Sequence, residues 1–400
     1  MSDGKRWMTT KRLSVLLCLV LLLQLCGCAL PEDQRFINPT EPVIWEPTMP
    51  KPTEELSETL TPTPAPRKTA EQIAAELSRS QKVAQLFLVK CPAGGAAELL
   101  KEYDVGGIIL YGQDTAGETP SSLRSEIQSY QDLVPVKLII AVDEEGYPVN
   151  RVSNREAFRS KEFPSVRSAY DDNGVQAVRE QEGEKSRFLR NLGINVNLGP
   201  ICDLVTEDDA FMADRSMRLT EIATSEVVAA MVNVMHSNSV GAVLKHFPGY
   251  GNSTGDSHTG RVINDNDEAI YWAYDFKPFQ AGIEAGVGAV MVSHSLATGL
   301  DPTVPASLSE DVIGILREKL KFDGVILCDD ITMEAVTDYY EVNEAAVQAI
   351  MAGNDMIITT WSEEMYHAVY EAVNLGRITE DELTEHVIRI IQWKMDLGLL

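Results

Sequence analysis

Between residues 69 and 400 the arrangement of apolar and polar residues switches repeatedly between two patterns. Short runs rich in β-branched and other apolar residues recur along the chain, and longer stretches with helical spacing separate them. The stretch 221–238 (EIATSEVVAAMVNVMHSN) has this helical spacing. The apolar runs cover residues 85–90, 105–110, 136–143, 193–200, 240–247, 287–294, 323–330 and 353–360. Continuous apolar runs between helices are typical of βαβ units, whose parallel sheet is covered on both faces.

Eight such units favour an α/β fold of the (β/α)8 type. A barrel of this kind typically takes about 250 residues plus insertions, which residues 69–400 can provide. The alternative is a doubly wound open sheet. That architecture gives no reason for eight repeats, and no GxGxxG motif opens a helix after the first run. We therefore predict a (β/α)8 TIM barrel as the single domain of residues 69–400.

The first 28 residues have the pattern of an export signal. Basic residues precede the apolar run 13–25, which is shorter than the ~20 residues of a transmembrane helix but suits a signal peptide. Met8 is an alternative start that would shorten the charged leader. The run ends in LCGCAL, which resembles a bacterial lipoprotein signal with cleavage before Cys28 and lipidation of its thiol. The alternatives are a plain signal peptide and a short anchor helix.

Residues 29–68 predict a disordered tether. They are rich in Pro, Thr and Glu, and nine of the 19 prolines lie between Pro31 and Pro66. A semi-extended segment of this length reaches on the order of 100 Å. We therefore expect a lipoprotein signal peptide (1–28), the tether (29–68) and an extracytoplasmic barrel domain (69–400). The lipid on Cys28 would anchor that domain to the cell membrane.

The charge balance narrows the range of partners. There are 60 acidic and 34 basic residues, and the formal net charge is −26. Such a surface repels nucleic acids and anionic lipids, so we expect no nucleic-acid partner and no membrane contact besides the anchor. Cys91, Cys202 and Cys328 lie in or beside apolar runs without CxxC spacing, and we predict buried thiols rather than disulfides.

Polar residues stand at the ends of the apolar runs. In a barrel these ends open on one face, where active sites form. The fifth run continues as KHFPGYGNSTGDSH (245–258), which places Asp256 and His258 on a loop at that face. The polar residues at or just after the run ends are Asp143, Asp203, Lys245, His246, Ser293, His294, Asp329 and Asp330.

The combination KHFPG…DSH with GVILCDD downstream resembles glycoside hydrolase family 3. More narrowly, it is similar to the single-domain bacterial β-N-acetylhexosaminidases that trim N-acetylglucosamine from cell-wall fragments. The chain ends at Leu400, soon after the eighth unit, so we expect the extra C-terminal domain of larger members to be absent. Further segments that carry the resemblance are VGGIILYGQD (105–114), AVDEEG (141–146), LGINVNLGPICDL (192–204), DRSM (214–217), VPASLS (304–309) and AGNDM (352–356).

The resemblance implies a retaining mechanism with two catalytic groups. Asp329 would be the nucleophile that forms a covalent glycosyl-enzyme, and Asp330 would point into the barrel wall or a hydrogen bond. His258 would be the general acid and base, because a histidine pKa near ~6.5 suits both roles near neutral pH. Asp256 would orient the imidazole and stabilise its cation. Glycines at 249, 251 and 255 would let this loop close over the sugar.

The resemblance also implies a set of substrate-binding residues: Asp143, Arg151, Arg215, Lys245, His246 and His294. No cofactor is expected. A metal site formed by His246, Asp256 and His258 is an alternative, but their spacing is not that of a tight ligand set. Two positions depart from the family pattern. Tyr250 stands where KHFPGHG has its second histidine, and Tyr147 stands where DQEGG has a second glycine.

The leading hypothesis is a lipid-anchored, retaining exo-β-N-acetylhexosaminidase that acts on carbohydrate, namely terminal β-linked N-acetylglucosamine of peptidoglycan fragments or related glycans. One alternative is a family 3 β-glucosidase or a glycoside phosphorylase. Another is a non-catalytic sugar-binding lipoprotein that kept the barrel and lost turnover.

Overall fold

The computed structural model describes residues 68–207, 210–251, 253, 256–257 and 260–400. Eight parallel strands close into a barrel in which each strand pairs with the next and the first also pairs with the last. The strands are β1 (Phe87–Lys90), β2 (Gly107–Leu110), β3 (Ile139–Val142), β4 (Val196–Asn197), β5 (Gly241–Phe247), β6 (Ala289–Val292), β7 (Val325–Cys328) and β8 (Met356–Thr359). Each predicted apolar run contains one of them, so the barrel prediction is confirmed. The predicted signal peptide, Cys28 and almost all of the tether lie outside the described residues.

Helices surround the barrel, and the predicted stretch 221–238 forms one of them. Longer helices begin at polar caps; for example, the Thr220 hydroxyl accepts the N–H of Ala223 at the start of α6. The helices are α1 (Ala70–Glu76), α2 (Arg79–Gln85), α3 (Ala97–Glu102), α4 (Pro120–Leu133), α5 (Val166–Leu192, kinked at Asn173 and Gly174), α6 (Glu221–Ser237), α7 (Glu268–Ile270), α8 (Phe276–Glu284), α9 (Glu310–Gly314), α10 (Glu334–Thr337), α11 (Val342–Met351), α12 (Glu363–Asn374) and α13 (Glu380–Asp396). π-Helical turns follow α7 (Tyr271–Asp275) and α9 (Ile315–Lys319), and a 3-10 turn spans Ala306–Leu308.

Two small sheets, which the apolar pattern does not reveal, stand beside the barrel. Glu144–Gly146 pairs antiparallel with Val149–Asn150 directly after β3. Val262–Asn264 pairs in parallel with Ser295–Ala297, and this pair joins the segments after β5 and β6. Both sheets therefore shape the end of the barrel at which the strands finish.

Apolar side chains fill the barrel and the layer between strands and helices. Strands β2, β3, β6, β7 and β8 are buried along their whole length. Cys91, Cys202 and Cys328 are buried free thiols, as predicted. None of the helices in the described part of the chain combines the length and the apolar character needed to cross a membrane.

Helix α13 places a lysine inside this layer. Lys394 of α13 is fully buried, and its Nζ donates to Oε1 of Gln85 at 2.7 Å. Burial lowers the pKa of Lys394 to about 7, against a smaller opposing effect of the Asp104 carboxylate. The folded protein therefore disfavours the charged form of this lysine, whereas the unfolded chain does not.

Replacing Lys394 by methionine should stabilise the protein by about 1–4 kcal/mol at pH 7. The unfolded chain holds the extra proton between about pH 7 and the ordinary lysine pKa of 10.5, so wild-type stability rises with pH across that window. The advantage of Lys394→Met should therefore be largest at pH 7 and below and should shrink toward pH 10. Urea unfolding at several pH values measures it. A difference independent of pH, as expected for the exposed control Lys277→Met, would contradict this account.

Candidate active site

A cavity of about 150 Å³ opens where the barrel strands end. Residues at the ends of β2, β3, β5 and β7 contribute Tyr111, Asp143, Lys245 with His246, and Asp329 to its lining. Apolar side chains complete the wall: Val149, Leu198, Phe211, Met212, Met291, Met333 and Ile358. The cavity brings together Asp329 and all the predicted substrate-binding residues except His294.

Asp329 follows β7 directly and is held by the main chain. Its backbone N–H donates to the carbonyl of Val292 at 3.1 Å, and its Oδ1 accepts the N–H of Asp330 at 2.8 Å. The neighbouring side chain of Asp330 has a different task, since it pairs with Lys90 and accepts the Thr332 hydroxyl at 2.7 Å. Both residues line the cavity, but Lys90 and Thr332 engage the carboxylate of Asp330, whereas that of Asp329 accepts a backbone N–H.

Asp329 is ionised at neutral pH. Burial raises the pKa of this carboxyl, but neighbouring groups outweigh burial and lower the pKa below its ordinary value. These groups are the imidazoles of His294 and His246, the N–H of Asp330 and the ammonium of Lys245. An ionised, desolvated carboxylate at the edge of a cavity is equipped to act as a nucleophile.

Buried ion pairs form the floor beside Asp329. Lys245, 2% exposed at its side chain, places Nζ 2.6 Å from Oδ1 of Asp143 and 2.7 Å from Oε1 of Glu145. Glu145 also accepts Nη2 and Nε of Arg215 at 2.7 and 3.0 Å, in a bidentate pair. These contacts fix the orientation of four long side chains in one cluster.

The ion pairs keep Glu145, Lys245 and Arg215 charged. Burial raises the pKa of Glu145, but the charges of Lys245 and Arg215 have the larger combined effect. They hold this pKa well below its ordinary range. Burial lowers the pKa of Lys245, and the carboxylates of Asp143 and Glu145 reverse this and raise it. The floor can thus present fixed charges and hydrogen-bonding groups to the hydroxyls of a neutral ligand.

Asp203 organises the turn that follows β5. This fully buried carboxylate lies 2.8 Å from Nδ1 of His246 through Oδ2, and it accepts the backbone N–H of Tyr250 at 2.7 Å through Oδ1. It also accepts the N–H of His246 at 3.2 Å. The carboxylate therefore sets both the ring orientation of His246 and the path of the main chain behind it.

Close packing explains two glycines of this turn. Gly249 has φ +131°, and a Cβ there would lie 3.0 Å from the Cβ of Asp275. A Cβ on Gly251 would lie 1.9 Å from the carbonyl oxygen of Leu204, which no side chain tolerates. These glycines are required by the contacts of the turn, a reason different from the closure over a sugar that the sequence suggests.

Arg151 lines the cavity, and its guanidinium has no ion pair with any residue that the structure describes. Within the described part of the chain its buried Nε has no hydrogen-bond partner, and its Cζ lies 5.9 Å from the ring centroid of Tyr111. The backbone around it is anchored by Glu144, which accepts the N–H groups of Arg151, Val152 and Ser153 at 2.9, 2.9 and 3.0 Å. The guanidinium is thus oriented by its backbone and retains donors for a ligand.

His294 lies behind the cavity wall, and it is 1% exposed. Its Nε2 is 2.9 Å from the backbone carbonyl of Asp330, and its Nδ1 is 2.7 Å from the Ser307 hydroxyl. Because a carbonyl only accepts, Nε2 carries the proton. Burial lowers the pKa of His294, against the charge of Asp329, so the neutral tautomer supports the Asp329–Asp330 segment from behind.

The remaining predicted residues belong to the segment after Tyr250. Asp256 is half-buried, and His258 lies outside the described residues. Ser257, between them, lines the cavity. Among the residues described, no group of three or more His, Cys, Asp or Glu side chains is arranged to hold a metal ion.

Several residues of the site are absent from the predicted set. Glu145 and Asp203 are the most consequential, because each organises two other members of the site. Their signal in the sequence is an acidic residue shortly after a strand, in AVDEEG and in GPICDL. Tyr111 and the apolar residues Phe211, Met212 and Met333 carry no comparable signal, since only the folded chain brings them to the cavity.

A (β/α)8 barrel with an ionised carboxylate after β7 and a floor of fixed polar groups has the layout of an enzyme active site. The family model of the "Glycosyl hydrolase family 3 N terminal domain" matches residues 79–393. The chain therefore belongs to glycosyl hydrolase family 3, as the sequence motifs indicate, and it is a glycoside hydrolase.

Known relatives and solved structures support this assignment. Beta-hexosaminidase LpqI of Mycobacterium tuberculosis (strain ATCC 25618 / H37Rv) is 31% identical over 344 residues, which cover 83% of this chain and 87% of that protein. The solved structure of M tuberculosis LpqI matches with a TM-score of 0.75 and 29% identity, over 82% of this chain and 96% of that one. A glycoside hydrolase family 3 beta-N-acetylglucosaminidase from Paenibacillus sp. str. FPU-7 matches with the same TM-score and identity; the alignment covers 81% of this chain but only 63% of that longer one.

Proposed function

We propose that this protein is a retaining exo-β-N-acetylhexosaminidase that removes terminal β-linked N-acetylglucosamine. The observation that carries the proposal is the ionised Asp329 at the edge of a cavity whose floor is the Asp143–Lys245–Glu145–Arg215 cluster. The names of the relatives, beta-hexosaminidase and beta-N-acetylglucosaminidase, support the choice of sugar.

In the proposed first step, an oxygen of Asp329 bonds to the anomeric carbon as the bond to the leaving oxygen breaks. The leaving oxygen takes a proton from His258, whose imidazole Asp256 orients. In the second step, water gives a proton back to His258 and attacks the same carbon, which frees Asp329. Two inversions leave the configuration retained.

The floor residues would hold the sugar in the geometry that this displacement requires. The carboxylate of Asp143 can accept from ring hydroxyls, and the Lys245 ammonium and His246 imidazole lie beside it. Arg151 also lines the cavity, and its guanidinium would add hydrogen bonds to the sugar. A neutral sugar suits this floor, since its charges are already paired.

We also propose that the enzyme works outside the cell, tethered by a lipid on Cys28, on peptidoglycan fragments or related glycans. The lipoprotein-like LCGCAL motif and the Pro-rich segment 29–68 support the tether. The substrate class is supported by the resemblance to the cell-wall-trimming branch of the family. Fragments are small and diffusible, so a tether would not limit their access to the cavity.

Incubation of the protein with p-nitrophenyl glycosides tests the proposal. We expect release of p-nitrophenol from the N-acetyl-β-glucosaminide at a rate far above that from the β-glucoside, with β-N-acetylglucosamine as the first anomer in the NMR spectrum. Preference for the glucoside would favour a β-glucosidase. Sugar 1-phosphate formed on addition of phosphate would favour a phosphorylase. Binding of the sugar in a calorimeter without product after long incubation would leave only a binding protein.

A further inference from the structure

The turn after β5 ends in a tyrosine whose ring is held from several directions. Tyr250 is 4% exposed, and its backbone N–H is bound by Asp203. Its ring centroid lies 5.8 Å from those of His246 and Phe211. The ring also packs in a small apolar cluster with Ile201, Val205, Met212, Ala213 and Val262. The phenol therefore occupies a fixed place on the cavity wall.

The hydroxyl of Tyr250 contacts the main chain seven residues further on. It accepts the backbone N–H of Ser257 at 3.0 Å. The carbonyl of Ser257 in turn accepts the N–H of Ala335 at 3.3 Å, and Ala335 lies in α10, which follows Asp329 along the chain. Ser257 is 5% exposed, so protein groups rather than bulk water satisfy its backbone. Its main chain is thus fastened between the turn after β5 and the segment after β7.

This contact lies close to the groups of the proposed mechanism. Burial raises the pKa of Tyr250, its bonds with Ser257 lower it, and the charges of Asp256 and Asp329 raise it further. The phenol oxygen is therefore within the field of both carboxylates. Asp256 and His258 are the immediate neighbours of Ser257 in the chain, so a shift of the Ser257 backbone displaces both of them.

We propose that Tyr250 is a positioning residue of the glycosidase, and that its hydroxyl, through Ser257, holds the main chain beside Asp256 against the segment that follows Asp329. The inference rests on the proposed function, because it concerns the acid–base pair of that mechanism. The commoner KHFPGHG motif has a histidine at this position, and the ring nitrogens of a histidine lie closer to Cα than the hydroxyl oxygen of a tyrosine does. Tyr250 thus supplies a contact that a histidine in the same rotamer would not reach.

Tyr250→Phe tests the proposal, because it keeps the ring and removes only the hydroxyl. Protonation matters most for a poor leaving group, so kcat/KM should fall by about tenfold or more on the p-methoxyphenyl N-acetylglucosaminide. On the dinitrophenyl glycoside, whose leaving group needs no proton, the loss should stay below about threefold. Tyr250→His should give the same pattern. Tyr274→Phe, which alters a tyrosine 48% exposed on the surface, is the matched control and should change neither value.

Equal losses on the two substrates, or no loss on either, would overturn the positioning role and leave Tyr250 as a packing residue. Thermal unfolding of each variant separates a loss of folded protein from a loss of positioning. An active wild type with an unaffected Tyr250→Phe variant rejects this inference alone. A wild type that cleaves neither glycoside rejects the proposed function and this inference with it.

Discussion

Asp329→Ala should lower kcat/KM on p-nitrophenyl N-acetyl-β-glucosaminide by about 10⁴-fold or more. Alanine removes the oxygen that would bond to the anomeric carbon, so the two-step route is closed. The fold should persist, because removal of a buried charge that serves catalysis commonly leaves stability unchanged or improved. The measurement is steady-state kinetics together with a thermal unfolding curve for each protein.

Asp323→Ala is the matched control for this prediction. Asp323 is an exposed aspartate just before β7, at the opposite end of the strand that Asp329 follows. Its replacement should leave kcat/KM and the unfolding temperature close to those of the wild type. If Asp329→Ala keeps more than about one tenth of wild-type kcat/KM, Asp329 is not the nucleophile.

Lys245→Met should have the second largest effect, on stability and activity together. The change leaves the half-buried carboxylate of Asp143 without its partner and removes one of two cations from the buried Glu145. Breaking a buried pair in this way costs about 3–5 kcal/mol, which chemical unfolding can measure. Adding Asp143→Asn to the variant should recover part of that loss, because the uncompensated charge disappears. The exposed control Lys277→Met should have no effect.

The same variant should shift the pH dependence of activity. The Lys245 ammonium is one of the groups that lower the pKa of Asp329. In Lys245→Met that pKa rises, so the acidic limb of the kcat/KM profile should move to higher pH. A limb that stays in place, or a folded variant with wild-type stability, would show that the ion pairs do not support the nucleophile as described.

The barrel could be predicted from sequence because each of its strands is a short apolar run between helical stretches. A buried parallel strand can be recognised because nearly all its residues are apolar, as in GVILC around β7. The two small sheets carry no such mark. Glu144–Gly146 reads as an acidic loop, and it forms a strand only because Asn150 and its neighbours stand opposite it after a tight turn. The π-helical turn Tyr271–Asp275 likewise follows from tertiary packing rather than from helical propensity.

The part of the site that residues at strand ends form could be predicted from the sequence. The residues that support those side chains from behind could not. Asp143 and Asp329 follow their strands directly and Lys245 lies near the end of β5, so a parallel barrel brings all three to one rim. The role of Asp203 depends on which backbone groups the turn after β5 presents to it, which spacing does not encode. His294 is the opposite case: it ends an apolar run in the sequence, two residues beyond β6, but its ring lies behind the cavity wall and bonds with Ser307.

The most direct test of the account is to trap the covalent intermediate. An N-acetylglucosaminyl fluoride that carries a second fluorine on the ring should glycosylate the enzyme quickly and release it slowly, because the fluorine destabilises both oxocarbenium-like transition states and the fluoride leaves readily. Intact-protein mass spectrometry should then find one added sugar per chain, and peptide mapping should place it on Asp329. A labelled carboxylate elsewhere, or turnover with inversion and no labelled protein, would contradict the assignment of Asp329 as the nucleophile.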